Sequence, residues 1–246
     1  MKVYPSPLRS ARFVRRNDGL EVRSMAIDIN RFSDSSPLIT PELESQLGPL
    51  LDRINTPVSI VSIIGNSEKD AEMAAFLRHC ARLCPSLSLK FLSPGEDIDI
   101  DAALDAEYLP ATGFIGESGL CRFAFHGVPG GKEITGFVSA LLSAAGASRP
   151  LDKPTLKDIA RISQPAHLTI CVSLACHHCA QLVINAQRVA AENPLISAHM
   201  VDANLYPALV EKYHIEHVPV LLIDGEVAST GAMTLPELCT LLRKHR

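Results

Sequence analysis

The chain has 246 residues, 47% of them hydrophobic, and a formal net charge of −4. That length provides material for two small cores rather than one. Outside short N-terminal clusters no Lys/Arg block exceeds two residues, which excludes a nucleic-acid-binding stripe, and no run of eighteen apolar residues offers a membrane span.

Residues 1–24 carry six basic and two acidic side chains without an apolar core, so they do not read as a secretory signal. The expectation is a disordered basic arm over residues 1–40, with Met25 as an alternative start. Pro57 to Ile64 then forms a strand, Glu72 to Leu83 a helix, and Ser88 to Leu92 a second strand. After Leu109-Pro110, the pair Gly130-Gly131 leads through Lys132 and Glu133 into an apolar helix from Ile134 to Leu142. Gly146, Ser148, Pro150 and Pro154 interrupt periodicity and place a boundary within Ala144 to Pro154. The predicted units are thus 41–146 and 155–246, joined by a linker short enough that they pack together.

The second unit opens on the apolar run Leu168 to Leu174, directly followed by Cys176-His177-His178-Cys179. Leu182, Val183, Ala186, Val189 and Ala190 continue with helical spacing until Asn193-Pro194, and Ile196 to Val201 reads as the next strand. Two cysteines spaced C-x-x-C at a strand-to-helix junction set the first sulfur over unpaired N–H groups and the positive dipole end of the helix, where thiolate is favoured. Further on, Val218-Pro219 precedes an apolar strand, and Asp224-Gly225 marks a hairpin before a last helix.

The same order of elements occurs twice. Pro57 to Ile64 aligns on Pro165 to Val172 at an offset of 108 residues, and Leu109-Pro110 stands opposite Val218-Pro219. At that offset Glu68 and Ala71 take the positions of Cys176 and Cys179, so the upstream copy has no dithiol. The fold class expected is α/β, two tandem thioredoxin-like folds with a mixed sheet flanked by helices, only the second redox-active.

Metal binding is the main competing reading of Cys176 to Cys179. Four consecutive residues cannot all wrap one tetrahedral ion, and no second C-x-x-C exists, so no metal ligands are assigned. Cys80, Cys84, Cys121, Cys171 and Cys239 read as buried or half-buried small hydrophobes.

Ser173 to Cys179, Gly127-Val128-Pro129-Gly130-Gly131-Lys132-Glu133 and Met233-Thr234-Leu235 resemble the N-terminal tandem-thioredoxin domain of the flavoprotein subunit of bacterial alkyl hydroperoxide reductase, across residues 40–246. The resemblance implies an electron-shuttling disulfide in the second unit and a nearby acid from the first, which maps onto Glu133. From the residues alone Glu133 is equally a first-turn acid favoured by the helix dipole. The resemblance also implies a cis Pro219, with Val218 offering its backbone to a substrate disulfide. It departs at Ala180, where the family commonly has proline.

Cys176 is expected to attack and Cys179 to resolve, with Glu133 as base; His177 and His178 line the substrate side, although an inert exposed role stays open for His177. No G-x-G-x-x-G follows a strand, so no bound cofactor is expected beyond the redox-active disulfide. A separate flavin-dependent disulfide reductase or a small thiol would supply electrons, and a two-cysteine peroxiredoxin or other protein disulfide would accept them, in the cytoplasm. A glutathione-dependent or isomerase-like activity is the alternative.

Overall fold

Two copies of a β-α-β unit build one continuous sheet. In the computed structural model, which describes residues 32–245, the first copy is β1 (Val58–Ile63), α2 (Glu68–Leu83) and β2 (Leu87–Leu92), preceded by α1 (Pro41–Leu51). α3 (Ile98–Leu104), β3 (Ala111–Gly116), β4 (Gly119–Leu120), β5 (Phe123–His126) and α4 (Ile134–Ala144) complete that half. The second half runs α5 (Lys153–Ala160), β6 (Ala166–Val172), α6 (Cys179–Glu192), β7 (Ile196–Asp202), α7 (Pro207–Lys212), β8 (Val220–Ile223), β9 (Glu226–Thr230) and α8 (Leu235–Lys244).

The strand order is β2-β1-β3-β5-β7-β6-β8-β9, with β4 paired on β3. β1 and β2 run parallel, as do β6 and β7, while β3 and β8 are antiparallel to β1 and β6. The halves join where β5 pairs in parallel with β7, from Phe123 opposite Ala198 to His126 opposite Val201. This joint converts the edge of the second half into a central strand, and β2 and β9 stand at the two ends of the strand order. Lys90 on β2 and Glu226 on β9 put charge along these edges, which discourages pairing with another chain.

One apolar core runs under both halves on the face covered by α2, α4, α6 and α8. Phe76 of α2, Phe114 of β3, Phe125 of β5 and Phe137 of α4 are fully buried; Phe137 meets the other three edge-on and Phe114 meets Phe125 likewise, with ring centroids 5.1 to 5.9 Å apart. Truncating one of these to alanine is expected to cost roughly 3–5 kcal/mol. α3 and α7 cover smaller clusters on the opposite face through Leu104 and Leu209. The all-round apolar character of α4 follows from its position between the halves: a Cβ on Gly136 would lie 3.3 Å from Val183 Cγ1 of α6.

Three expectations change. Residues 1–31 of the expected arm lie outside the described residues, but Phe32 to Thr40 are packed rather than disordered. Phe32 and Ile39 are buried, the Ser36 N–H donates to His79 Nδ1 at 3.1 Å, and Thr40 caps α1. Pro154 does not interrupt a helix but opens α5, because a proline in the first helical turn loses no intrahelical bond. The first-half counterparts of the two cysteines also change. Val58 and Ala166, at the start of the first strands, stand 108 residues apart, whereas the C-caps Cys84 and Asn193 stand 109 apart. The buried stripes agree with 109: Asp70, Met73, Ala74, Leu77 and Cys80 match Cys179, Leu182, Val183, Ala186 and Val189. The extra residue falls in the loop before the helix, so the counterparts of Cys176 and Cys179 are Ser67 and Asp70, not Glu68 and Ala71.

Candidate functional site: a dithiol between the two halves

The apolar strand β6 ends at Val172, and a six-residue loop from Ser173 to His178 leads into α6. The Cys176 N–H donates to Ser173 O at 2.9 Å, turning the chain so that Cys176 stands at the mouth of the helix. Cys176 is half-buried, His177 and His178 are exposed, and Cys179, the first residue of α6, is fully buried. The cysteines form a disulfide with Cα atoms 5.6 Å apart. No side chain caps the N-terminus of α6, so its free N–H groups and dipole act on the sulfurs.

Facing the disulfide is the loop before β8. The Val218–Pro219 peptide is cis, and Cys176 Sγ lies 3.7 Å from the Val218 carbonyl oxygen. Pro219 is buried and its carbonyl accepts the Gly231 N–H at 2.8 Å, tying this loop to the end of the β8–β9 hairpin. Val218 remains partly open.

The third wall comes from the first half. The segment Gly127 to Glu133 crosses to the dithiol loop, where the Lys132 N–H donates to Leu174 O at 3.0 Å. Gly131 makes this approach feasible: it has φ +55°, and a Cβ there would stand 2.6 Å from Leu174 O. Glu133 ends this turn fully buried, with no hydrogen-bond partner for either carboxyl oxygen among the described residues. Its Oε2 lies 3.6 Å from where a Gly136 Cβ would be, beside Val183, which is one helical turn beyond Cys179 on α6. Burial, reinforced by the negative charge of Asp202, pushes the Glu133 carboxyl up to about 7.

The remaining cysteines are thiols in apolar surroundings. Burial raises Cys80 and Cys171 to about 12 and Cys121 to about 11, which leaves them poor nucleophiles at neutral pH. Among the described residues no three His, Cys, Asp or Glu side chains converge as metal ligands. Sequence reasoning missed Leu174, whose carbonyl anchors the Glu133 turn, and Asp202, the acid that ends β7. An acid closing the apolar run Ile196 to Val201 was the only available signal for the latter.

Comparison with known proteins agrees with this geometry. A thioredoxin-domain family model matches residues 166–243. The alkyl hydroperoxide reductase protein AhpF of Pseudomonas aeruginosa is 29% identical over 201 residues, covering 82% of this chain and 36% of that protein. An NADH dehydrogenase of Bacillus subtilis is 26% identical over 201 residues, covering 82% of this chain and 37% of the relative. The chain therefore spans a little over a third of the curated relatives it matches. Among solved structures, the N-terminal domain of alkyl hydroperoxide reductase AhpF from Enterococcus faecalis superposes with a TM-score of 0.78 at 28% identity, covering 82% of this chain and 99% of that one. The chain resembles the tandem-thioredoxin region of the AhpF proteins. A protein disulfide oxidoreductase of Aeropyrum pernix shares the fold at TM-score 0.74 and 20% identity, covering 83% of this chain and 92% of that one. The second half thus carries a C-x-x-C disulfide, and the chain has the fold of the tandem-thioredoxin structures it matches.

Proposed function

We propose that the chain is a two-electron shuttle that takes electrons from a flavin-dependent disulfide reductase and passes them to a two-cysteine peroxiredoxin or another protein disulfide, within cytoplasmic redox homeostasis and peroxide detoxification. The observation that carries this reading is the Cys176–Cys179 disulfide at the N-terminus of α6, with its outer sulfur beside the Val218 carbonyl.

In the reduced protein the Cys176 thiolate attacks one sulfur of the substrate disulfide. That S–S bond breaks, one substrate thiolate leaves and takes a proton, and a mixed disulfide forms. Cys179 then gives its proton to Glu133 and attacks Cys176 Sγ; the Cys176–substrate S–S bond breaks, the second substrate sulfur leaves as a thiolate that takes a proton from water, and the protein is left oxidised by two electrons. A dithiol on the donor returns two electrons and two protons. The Val218 backbone pairs with the substrate chain as a short strand beside Pro219, and His177 and His178 border the approach. The first half contributes Glu133 and narrows access to Cys176.

The reading is tested by mixing the purified chain with a NAD(P)H-linked flavoprotein disulfide reductase and a two-cysteine peroxiredoxin, then following pyridine nucleotide oxidation on addition of peroxide. Rapid, chain-dependent oxidation is expected. Reduction of the disulfide by glutathione but by no flavoprotein would replace this reading with a glutaredoxin-like one.

A further inference from the structure

Beside α3, at the joint between the halves, lies a cavity of about 560 Å³, within the size range of small-molecule sites. It opens at the starts of β6 and β7, next to the β8–β9 turn. The dithiol stands beyond the other end of β6, roughly 20 Å along the strand, so its chemistry leaves this cavity unused.

Its polar lining follows from strand alternation. β5, β7 and β6 pair in parallel, so Ser197 and His199 of β7 share a face with His167 of β6 and Ala124 of β5. Arg122, two residues before Ala124, is fixed beside them by its carbonyl, which accepts the Ala198 N–H at 2.8 Å. His199 is 4% exposed, and a chain of hydrogen bonds sets its tautomer. A carbonyl oxygen only accepts, so His126 Nδ1 donates to Tyr108 O at 2.7 Å. Burial holds His126 neutral, its value pushed down to about 4, so its Nε2 accepts from His199 Nδ1 at 3.1 Å. Burial keeps His199 neutral as well. Its Nε2 is then a lone-pair acceptor with no hydrogen-bond partner among the described residues, on a side chain that lines the cavity.

Two charged groups on the same lining are also unpaired. Asp224 is already committed: its Oδ1 accepts the His167 N–H at 2.8 Å, and its Oδ2 is bonded to His245 Nε2 at 2.9 Å. Asp105, the half-buried C-cap of α3, and the exposed Arg122 make no side-chain hydrogen bond or ion pair among the described residues. A neutral imidazole acceptor and a carboxylate select an N–H cation, and an unpaired guanidinium selects a carboxylate. The geometry points to this cavity as a binding site for a short zwitterionic peptide, its ammonium donating to His199 Nε2 on the side of Asp105, its carboxylate paired with Arg122, and its small side chains against Leu120, Leu195 and Ile196. The volume suits two or three residues rather than one. Electron transfer through Cys176 and Cys179 does not require this site, so the two readings stand or fall separately.

The test is isothermal titration calorimetry of the full chain with trialanine, which has no thiol and leaves the dithiol untouched. Saturable one-to-one binding is expected. Arg122→Ala should weaken it by at least roughly tenfold, and N-acetylation of the peptide should do the same. His199→Asn keeps an N–H donor for His126 Nε2 but removes the outward acceptor; it should weaken trialanine by a similar factor and leave the affinity for N-acetyl-trialanine unchanged. Should that variant not fold, Asp105→Asn supplies the comparison, since asparagine tolerates the φ of +52° found there. No saturable heat at millimolar trialanine, an Arg122→Ala affinity equal to that of the unmodified chain, or equal binding of the acetylated peptide overturns the proposal. Disulfide reduction by the Arg122→Ala chain, followed in parallel, should stay at the unmodified rate; a loss of peptide binding with that rate intact separates this site from the dithiol.

Discussion

The two halves place the same kind of loop before the same kind of helix, and they end it with different chemistry. In the first half Ser67 and Asp70 form a reciprocal capping box: the Ser67 side chain accepts the Asp70 N–H at 3.2 Å, and Asp70 Oδ2 accepts the Ser67 N–H at 2.9 Å. In the second half the corresponding positions are Cys176 and Cys179, the helix has no side-chain cap, and its dipole is left to act on sulfur. The facing loops differ as well. Val218 O, before cis Pro219, meets Cys176, but Leu109 O, before cis Pro110, already accepts a hydrogen bond from the Tyr206 hydroxyl at 2.9 Å. One cleft therefore presents a disulfide to its facing loop, and the other is capped at both walls. The first half retains the frame of a redox site and supplies a buried acid to its neighbour.

The largest expected effect that tests this contrast is removal of the outer sulfur. Cys176→Ser should lower disulfide reduction by more than roughly 10³-fold, measured as turnover of a protein disulfide, since an enzyme without its nucleophile keeps only binding and environment. Cys179→Ser should instead accumulate mixed disulfides, visible by intact mass.

Next comes the acid lent by the first half. Glu133→Gln should slow the resolving step by roughly 10²-fold above neutral pH. It should also remove the rise in rate expected of the unmodified protein as pH passes about 7, where Glu133 becomes a carboxylate able to accept a proton. Stopped-flow measurement of the second thiol release across pH checks both.

The same residue carries a stability signature of opposite sign to an ordinary salt-bridged acid. Its folded value of about 7 exceeds the ordinary glutamate value of 4.5. The folded state therefore binds more protons between those values, and stability falls as pH rises through that window. Glu133→Gln should flatten this slope and stabilise the chain above pH 7 by on the order of 2–3 kcal/mol, read from denaturant midpoints at pH 5 and pH 8. Equal slopes in both proteins would mean that Glu133 is less confined than its burial indicates.

The smallest effect lies in the capped half. Ser67→Ala should cost roughly 1–2 kcal/mol of stability through the lost cap while leaving thiol chemistry at Cys176 unchanged, measured by denaturation and by single-turnover thiol release. A change in thiol reactivity there would show that the first cleft is coupled to the second.

Much of this architecture is legible in linear order. C-x-x-C after an apolar run identifies both the cysteine pair and the helix that begins at it, because strand period, helix period and dipole are local properties. The end of α6 at Asn193, the Asp224-Gly225 turn and the doubled Leu-Pro/Val-Pro pattern are local in the same sense. α1, α3, α5 and α7 were not legible. They are short or proline-initiated, with seven residues in α3 and six in α7, and they gain stability from packing rather than from periodicity. The repeat offset misled at one point because a single inserted residue in a loop shifts a pairwise alignment without shifting either helix face.

The sequence by itself determined that this chain has two related halves, that only one has a dithiol, and which sulfur stands at a helix start. Tertiary structure alone decided what Glu133 is. In the sequence it is an acid in a first helical turn, where the dipole would keep it ionised. In the fold the β5–β7 joint and the Gly131 approach press that turn against Leu174, strip water from the carboxyl, and bring it within the field of Asp202 from the other half. Desolvation and the field of a distant residue depend on what surrounds a group in space, and neither is written into the residues beside it in the chain.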